Sequence, residues 1–574
     1  MSIPRPEYPN PQFQRSNWIN LNGEWDFAYD NENSGEEKGF YKDSSVFDKK
    51  IIVPFCPESK LSGIGNTDFI RGVWYRKTIT LPERYLDKRV VLHFGACDYI
   101  TKVYVDGQFA GRHKGGYSSF FIDITPFIKP EPITITVYAK DDTRDPLQSG
   151  GKQSYDYASH DCFYTRTTGI WQTVWIEATP KTYINNVKYY PNAENGSLDI
   201  NATVVGEGKF EAIALFDGKI MGAASASSEG GSVSLHLDLK EKHLWNVGDG
   251  QLYDLELKFG EDEVKSYFGL RSVRLDGMKF RLNGKSVFQR LVLDQGFYPD
   301  GIYTAPNEDA LIHDIQISLD AGFNGARLHE KIFEPRFLYH CDKMGYLVWG
   351  EYPNWGLDHS KPESVFTILP EWLEEVERDF NHPAIIGWCP FNETWDVNGR
   401  KQYDDVLAAV YDCTKALDNT RPCIDTSGNF HVKTDIFDVH DYEQNVAMFK
   451  NNYDKLMETG ELHDRFDHIQ KYTKGQPTFV SEYGGIKWSL SNVDNSWGYG
   501  NAPKTEKEFI ERYKGLTEAL LNNDQMLGLC YTQLYDVEQE QNGLYTYDRV
   551  AKFPPETIAA IFSAPAAIEG KNRD

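Results

Sequence analysis

Two hydrophobic patterns divide this chain. In its first part, short runs alternate apolar and polar positions, as in RGVWYRKTITL, RVVLHFGA, YITKVYVDGQF and ITITVYAKDD, each bounded by Gly, Pro, Asp or Asn. Alternation with period two puts apolar side chains on one face of a strand, and regular turn signals between such strands predict a β-sandwich over residues 1–180. The same style returns over residues 181–275, where TYINNVKYYPN, SLDINATVV, FEAIALFDG, GSVSLHLDL and YDLELKFG predict a smaller, immunoglobulin-sized sandwich. From residue 276 onward the period changes. Apolar runs such as VFQRLVLD, FNGARLH, YLVWGEY, AIIGWCPFNE, RPCIDTS, TDIFDVHDY, TFVSEYG and LGLCYTQL now alternate with helical stretches such as NEDALIHDIQISLDAG and TEKEFIERYKGLTEALLN. Strands buried on both faces and separated by helices predict a (β/α)8 barrel over residues 276–574.

Composition leaves this picture standing and narrows it. The 574 residues are 40% hydrophobic, enough for more than one core. Aromatics reach 14%, so flat rings are available to line a sugar site as well as to fill strands. The formal net charge of −25 repels phosphate backbones and anionic lipid, so neither nucleic acid nor membrane is an expected partner. Eight scattered cysteines form no C-x-x-C pair, which speaks against a zinc cluster or a disulfide scaffold. No basic start followed by an apolar stretch is seen, and no run of eighteen apolar residues occurs. The expected location is therefore the cytoplasm.

In a barrel of this kind the chemistry sits at the C-terminal ends of the strands. The fourth predicted strand ends in Pro390-Phe391-Asn392-Glu393-Thr394-Trp395 and the seventh in Ser481-Glu482-Tyr483-Gly484. Around them come Asp294 on the first, Arg327 and His329 on the second, Glu351 on the third, His440 and Tyr442 on the sixth, and Tyr531 and Gln533 on the eighth. Glu393 and Glu482 would face each other across the mouth. Cleaving a glycosidic bond needs such a pair, one carboxylate to attack the anomeric carbon and one acid to protonate the departing oxygen. Repulsion from an ionised nucleophile is expected to raise the pKa of the acid. No G-x-S-x-G, H-E-x-x-H or G-x-x-x-x-G-K motif points to another chemistry.

LNGEWDFAYD, RTTGIWQTVWIE and FGLRSVRLDGMKFRLNGKSV, together with the order of the three parts, resemble glycoside hydrolase family 2, the group of β-galactosidases, β-glucuronidases and β-mannosidases. The resemblance covers nearly the whole chain and implies a jelly-roll sugar-binding domain, an immunoglobulin-like domain and a catalytic barrel. It also implies Glu393 as acid/base, Glu482 as nucleophile, Asn392 as the partner of a sugar 2-hydroxyl, Tyr442 as the residue that orients the nucleophile, and Arg327 as support for the base of the site. Tyr531 would take the place of a family tryptophan platform. Departures bear on the sugar. Leu293-Asp294-Gln295 stands where large β-galactosidases have a His-Glu pair. The loop Glu351-Tyr352-Pro353-Asn354-Trp355-Gly356-Leu357 lacks their magnesium ligands, so no metal and no cofactor are expected. No Asn-x-Lys element of the glucuronidase type follows Glu482, and YTQLYDVEQEQNG also differs from the better-known branches.

The expected activity is that of a retaining, exo-acting β-glycosidase on small-molecule or oligosaccharide glycosides. β-Galactosidase comes first on family frequency, with β-glucuronidase and β-mannosidase as alternatives. A carbohydrate-binding protein on an inactive barrel is the alternative of another class, and both carboxylates argue against it. Transglycosylation needs the same carboxylates and stays open. For Asp294, Glu351 and His329 the competing role is ion pairing around Arg327. For Trp355, Trp395, Trp488 and Tyr531, the candidate sugar platforms, it is packing, and His440 reads first as a satisfied histidine. A homo-oligomer is a further expectation, as is a loop from the first domain that closes the pocket.

Overall fold

The computed structural model describes residues 3–397, 399–490 and 495–570. A four-stranded sheet in the order Trp18–Asn20, Val174–Thr179, Arg89–Phe94, Phe120–Asp123 faces a six-stranded one, Lys49–Val53, Gly23–Tyr29, Gly72–Ile79, Ile133–Lys140, Ile100–Val105, Gln108–Lys114. Trp25, Val73, Leu92 and Ile176, drawn from both sheets, share one buried core. This is the jelly-roll sandwich. The second sandwich packs Tyr183–Asn192, Ser197–Val205 and Gly231–Asp238 against Lys219–Ser228, Gly208–Phe216, Tyr253–Phe259 and Asp262–Phe268. Its alternation is clean: along Tyr253–Phe259 the odd-numbered positions are buried and Asp254, Glu256 and Lys258 are exposed, as period two requires of a sheet with one wet face.

The barrel strands are β1 (Gln289–Asp294), β2 (Gly325–Leu328), β3 (Leu347–Glu351), β4 (Ile385–Cys389), β5 (Thr426–Ser427), β6 (Phe437–Asp441), β7 (Thr478–Gly484) and β8 (Gly528–Thr532). Seven of them form one parallel sheet in the order β4-β3-β2-β1-β8-β7-β6. The short β5 pairs with Phe391–Asn392, the extension of β4 beyond Pro390. All residues of β2, β3, β4 and β8 are buried, because helices cover one face and the barrel interior the other. Trp349 fills that interior against Phe479, and Gly387 makes room for it, since a Cβ there would stand 2.2 Å from the indole.

The main helices of the outer layer are α1 (Glu308–Asp320), α2 (Pro335–Met344), α3 (Val365–Asp379), α4 (Asp404–Leu417), α5 (Val446–Glu458), α6 (Glu506–Leu521) and α7 (Pro555–Phe562). Asn307, Asn445 and Thr505 cap α1, α5 and α6 by accepting from backbone N–H groups of the first turn. Gly345 ends α2 with φ +67°, and any Cβ there would fall 2.4 Å from the carbonyl of Asn246 in the second sandwich. Glycine is needed at that joint on both counts. No helix of the described residues is long and apolar enough to cross a membrane.

Candidate active site

One irregularity in β7 builds the site. Val439 pairs with Val480 but His440 pairs with Glu482, and on the other side Val480 pairs with Leu529 but Tyr483 with Tyr531. Ser481 is thus an extra residue, a bulge that changes which side chains face inward. Tyr483 turns outward to Thr517 of α6, its hydroxyl 2.8 Å from that side chain, while Ser481 and Glu482 both serve the barrel mouth. Glu393, just past β4, adopts φ +46°. It is held there by its N–H donating to the carbonyl of Ser427 at 2.9 Å. Strain of this kind in a non-glycine residue is characteristic of functional sites.

The two glutamates and His440 offer one oxygen or nitrogen atom each, all within 4.8 Å of one another. Tyr442 donates its hydroxyl to Glu482 Oε2 at 2.5 Å, and its ring stacks on Tyr499 at 3.5 Å. Arg327 is the hub beneath. It donates to Glu351 Oε1 at 2.5 Å, to the Ser481 carbonyl at 2.9 Å, to Glu482 Oε1 at 3.1 Å and to Asn392 Oδ1 at 3.0 Å. His329 meets Glu351 at 3.2 Å and stands 4.0 Å from Glu482. Asn354 clasps the backbone of Asn392 from both sides, accepting its N–H at 2.7 Å and donating to its carbonyl at 3.1 Å. Asn392 Nδ2 is buried and has no protein partner.

Electrostatics follow from this packing. Burial alone would raise Glu393, yet the hydrogen bond and charge of His440, with Lys152 beyond, hold it down at about 2. Burial and the repulsion of Glu393 both work against ionised Glu482, but His440 and Arg327 outweigh them and keep it below the ordinary value. Burial, then the nearby Lys152 cation, pushes His329 well below the usual histidine range. The expected rise at the acid is therefore corrected, because the imidazole holds Glu393 down. The sequence placed two carboxylates face to face, and the fold sets an imidazole between them.

The loop from the first sandwich is residues 148–165. Gly150 and Gly151 donate to the Trp355 carbonyl at 2.7 and 3.0 Å, and the Ser149 hydroxyl lies 2.8 Å from that of Tyr352. Tyr164 donates to Glu540, and Gln539 donates to the Asp161 and Phe163 carbonyls. This loop brings in Lys152, only 5% exposed. Its ammonium lies 3.9 Å from the centre of the Trp355 ring, a cation–π contact. The carboxyls of Glu540, Glu482 and Glu330 surround it and keep it charged despite burial. Burial raises Glu330 and Glu540 above the ordinary carboxylate range, and Glu330 Oε1 has no partner.

Several expected platforms are used otherwise. Tyr531 is fully buried, wedged edge-on between Tyr483 and Tyr513 under α6, because it faces the helices rather than the mouth. Trp488 packs against Phe509 and Phe553. Both readings are corrected to packing. Trp355 gives its indole N–H to the Asn392 carbonyl at 3.1 Å and offers one face to Lys152. Trp395 carries the Arg400 guanidinium 3.7 Å from its ring centre. Asp294 accepts from Gly296 N–H and from Tyr535 at 2.9 and 2.5 Å. Gln533 accepts from Gln295 at 2.8 Å and keeps a buried, unpartnered Nε2. Sequence reasoning read His440 first as a satisfied histidine, although it stands two residues before Tyr442 at the end of β6 and its ring reaches both glutamates. Lys152, Asn354 and Tyr499 lie on loops, where no periodicity marks them.

With this geometry in hand, the comparisons decide the family. The profile described as Glycosyl hydrolases family 2, TIM barrel domain, matches residues 273–525, the sugar binding domain 64–180, and Glycosyl hydrolases family 2 residues 182–271. The chain belongs to glycosyl hydrolase family 2. Within it, the chain is similar to a β-galactosidase of Thermoanaerobacter pseudethanolicus, 28% identical over 65% of this chain and 51% of that one. A protein of Formosa agariphila named putative β-glucuronidase is 27% identical over 74% of this chain and 52% of its own. The match thus spans about half the length of these two relatives. A β-glucuronidase of Ruminococcus gnavus solved in complex with D-glucuronic acid shares the fold, with TM-score 0.79 at 18% identity over 97% of this chain and 100% of that one.

Proposed function

We propose that this chain is an exo-acting β-glycosidase that works with retention, Glu482 attacking the anomeric carbon and Glu393 serving as acid and then base. The observation that carries the reading is the pair of carboxylate oxygens within 4.8 Å of each other. An inverting pair stands roughly 6.5–9.5 Å apart to admit a water between substrate and base, and a retaining pair about 5–5.5 Å apart, so this closest approach of one oxygen from each supports retention. Tyr442 and Arg327 orient Glu482 for in-line attack, and the free Nδ2 of Asn392 is the donor for a sugar hydroxyl beside the reacting carbon. Loop 148–165 closes the mouth as an exo-acting site requires.

For the terminal sugar, a uronide takes precedence over a galactoside. Among the described residues the Lys152 ammonium has no hydrogen bond or ion pair, and it is only 5% exposed, over the Trp355 ring. A fixed cation there is a partner for a sugar carboxylate, supplied from the first sandwich instead of from the loop after β7. The name of one relative and the glucuronic acid complex of a fold neighbour support this, while the other relative is a β-galactosidase.

A panel of p-nitrophenyl β- and α-glycosides that includes glucuronide, galactoside and mannoside tests this. The β-glucuronide should turn over fastest, the first-formed sugar should keep its anomeric configuration by NMR, and Glu482→Gln should lose several orders of magnitude in kcat. Release of the inverted anomer, or full rate in Glu482→Gln, would overturn the mechanism. Preference for a neutral sugar would overturn only the uronide.

A further inference from the structure

His440 occupies a position that neither glutamate's role explains. Its Nδ1 lies 2.7 Å from Glu393 Oε1 and 3.4 Å from Glu482 Oε2, and its side chain is wholly buried. On the far side, Nε2 is 3.0 Å from Ser427 Oγ. That hydroxyl has a single hydrogen and donates it to Asp438 Oδ2 at 2.6 Å. Asp438 Oδ2 also accepts from Ser481 Oγ and from Gly428 N–H, so that oxygen serves as an acceptor throughout. Toward His440 the serine can therefore only accept, and Nε2 must hold a hydrogen. The tautomer is fixed from behind.

Nδ1 then has two states. Either it carries a hydrogen and donates it to ionised Glu393, or it is a lone pair and accepts from protonated Glu393. In both, one proton sits in the 2.7 Å contact between the imidazole and the carboxyl. Gly428 lets the ring lie there, since a Cβ on it would come 2.5 Å from Nδ1.

We propose that His440 is a positioning residue that shares one proton with Glu393 and returns it to the carboxyl for the departing oxygen. This rests on the reading of Glu393 as acid/base. In the first half-reaction the Nδ1 proton passes to Glu393 Oε1 and leaves a neutral imidazole. The carboxyl then gives that proton to the leaving oxygen as the glycosidic bond breaks and the bond to Glu482 forms. In the second, ionised Glu393 takes a proton from water while water oxygen displaces Glu482, and the proton is shared again with Nδ1. No co-reactant beyond water is needed.

The groups that set this proton are those facing the imidazole. Glu393 comes from beyond β4, Ser427 from β5, Asp438 from β6, and Glu482 and Ser481 from β7. Lys152, Arg465 and Tyr499 act through Glu393, Arg327, Tyr442 and His329 through Glu482, and His431 through Asp438, 3.3 Å away. The proton in this contact belongs to the carboxyl–imidazole pair rather than to either group, so its loss is a property of the pair.

The test uses His440→Asn and His440→Gln, whose amides retain hydrogen bonding but do not titrate, with thermal melts to confirm folding. Two β-glycosides of the preferred sugar are compared, one with a dinitrophenyl leaving group, which departs without a proton, and one with an alkyl leaving group. For the alkyl glycoside kcat/KM should fall by ~10²-fold, with no more than a few-fold loss on the dinitrophenyl glycoside. The basic limb of the pH profile should move by about one unit or more, because the proton is then lost from Glu393 alone and not from the pair. Equal losses on both substrates with an unmoved limb would mean that His440 only packs, and would overturn the proposal. If wild type cleaves no glycoside at all, it is the glycosidase reading that fails. Should the asparagine and glutamine variants not fold, Gly428→Ala, which displaces the ring without removing it, should shift the limb in the same direction, and an unshifted limb there would also overturn the proposal.

Discussion

The two sandwiches are written in the same alternating code and serve opposite ends of the barrel. The first reaches the C-terminal ends of the strands, where loop 148–165 brings Lys152 among the carboxyls and ties Tyr164 to Glu540. The second reaches the other end. Trp245 is fully buried in the barrel core and donates to the Asp342 carbonyl at 2.7 Å, and Arg271 donates to the Pro383 and Ile385 carbonyls at 2.6 and 2.7 Å, where β4 begins. Active sites of such barrels form at the C-terminal ends, and the opposite face contributes stability. One sandwich therefore reaches the mouth of the barrel and the other its base, and the difference comes from where each is docked, not from how it is built.

The largest effect expected is at the stabilising end. Trp245→Ala leaves a cavity the size of an indole and should cost about 3–5 kcal/mol, measured by chemical denaturation, with kcat/KM of the folded enzyme unchanged. A kinetic defect without a stability loss would break the comparison. Next comes Lys152→Ala, which should lower kcat/KM on the preferred uronide by ~10–100-fold, as for loss of a charged hydrogen bond, while neutral glycosides and the melting temperature change little. Uniform loss on all substrates would show that the lysine holds the loop rather than the sugar.

The smallest effect sharpens the picture of the loop's footing. Glu58 is 3% exposed beneath it and accepts from the Thr168 N–H at 3.1 Å, and burial raises its carboxyl to about 7. A folded pKa above the unfolded one, near 4, means that the stability contributed is full below about pH 4 and is lost as pH rises through 7. Asp141 nearby is shifted in the same direction, by burial first. The melting temperature should fall between pH 5.5 and pH 8, and Glu58→Gln should flatten that slope. A slope unchanged in the variant would place its origin elsewhere.

Much of this was legible along the chain. Period two marked the sandwich strands because each has one wet face, and Leu255 and Leu257 are buried as that rule demands. Fully apolar runs separated by helical ones marked the barrel. The strand-end rule then gathered Asn392, Glu393, Tyr442, Arg327 and Glu482, which the fold joins in one network. Where the reading failed, a side chain's direction was at stake. Tyr531 sits at a strand end as a platform would, but its place in the alternation turns it under α6. Trp488 was marked by residue type alone, which does not say which neighbours cover a ring.

By itself, then, the sequence determined the three-part architecture, the order of the strands and the two carboxylates at one mouth, because burial periodicity and strand-end position are local properties. Only the tertiary structure decided their surroundings. The bulge at Ser481 exists in relation to two neighbouring strands, the imidazole between the glutamates depends on β4, β6 and β7 meeting, and Lys152 arrives from a domain more than two hundred residues away from Glu393 in the chain. Contacts between distant segments form only when whole cores have packed, so no local pattern records them.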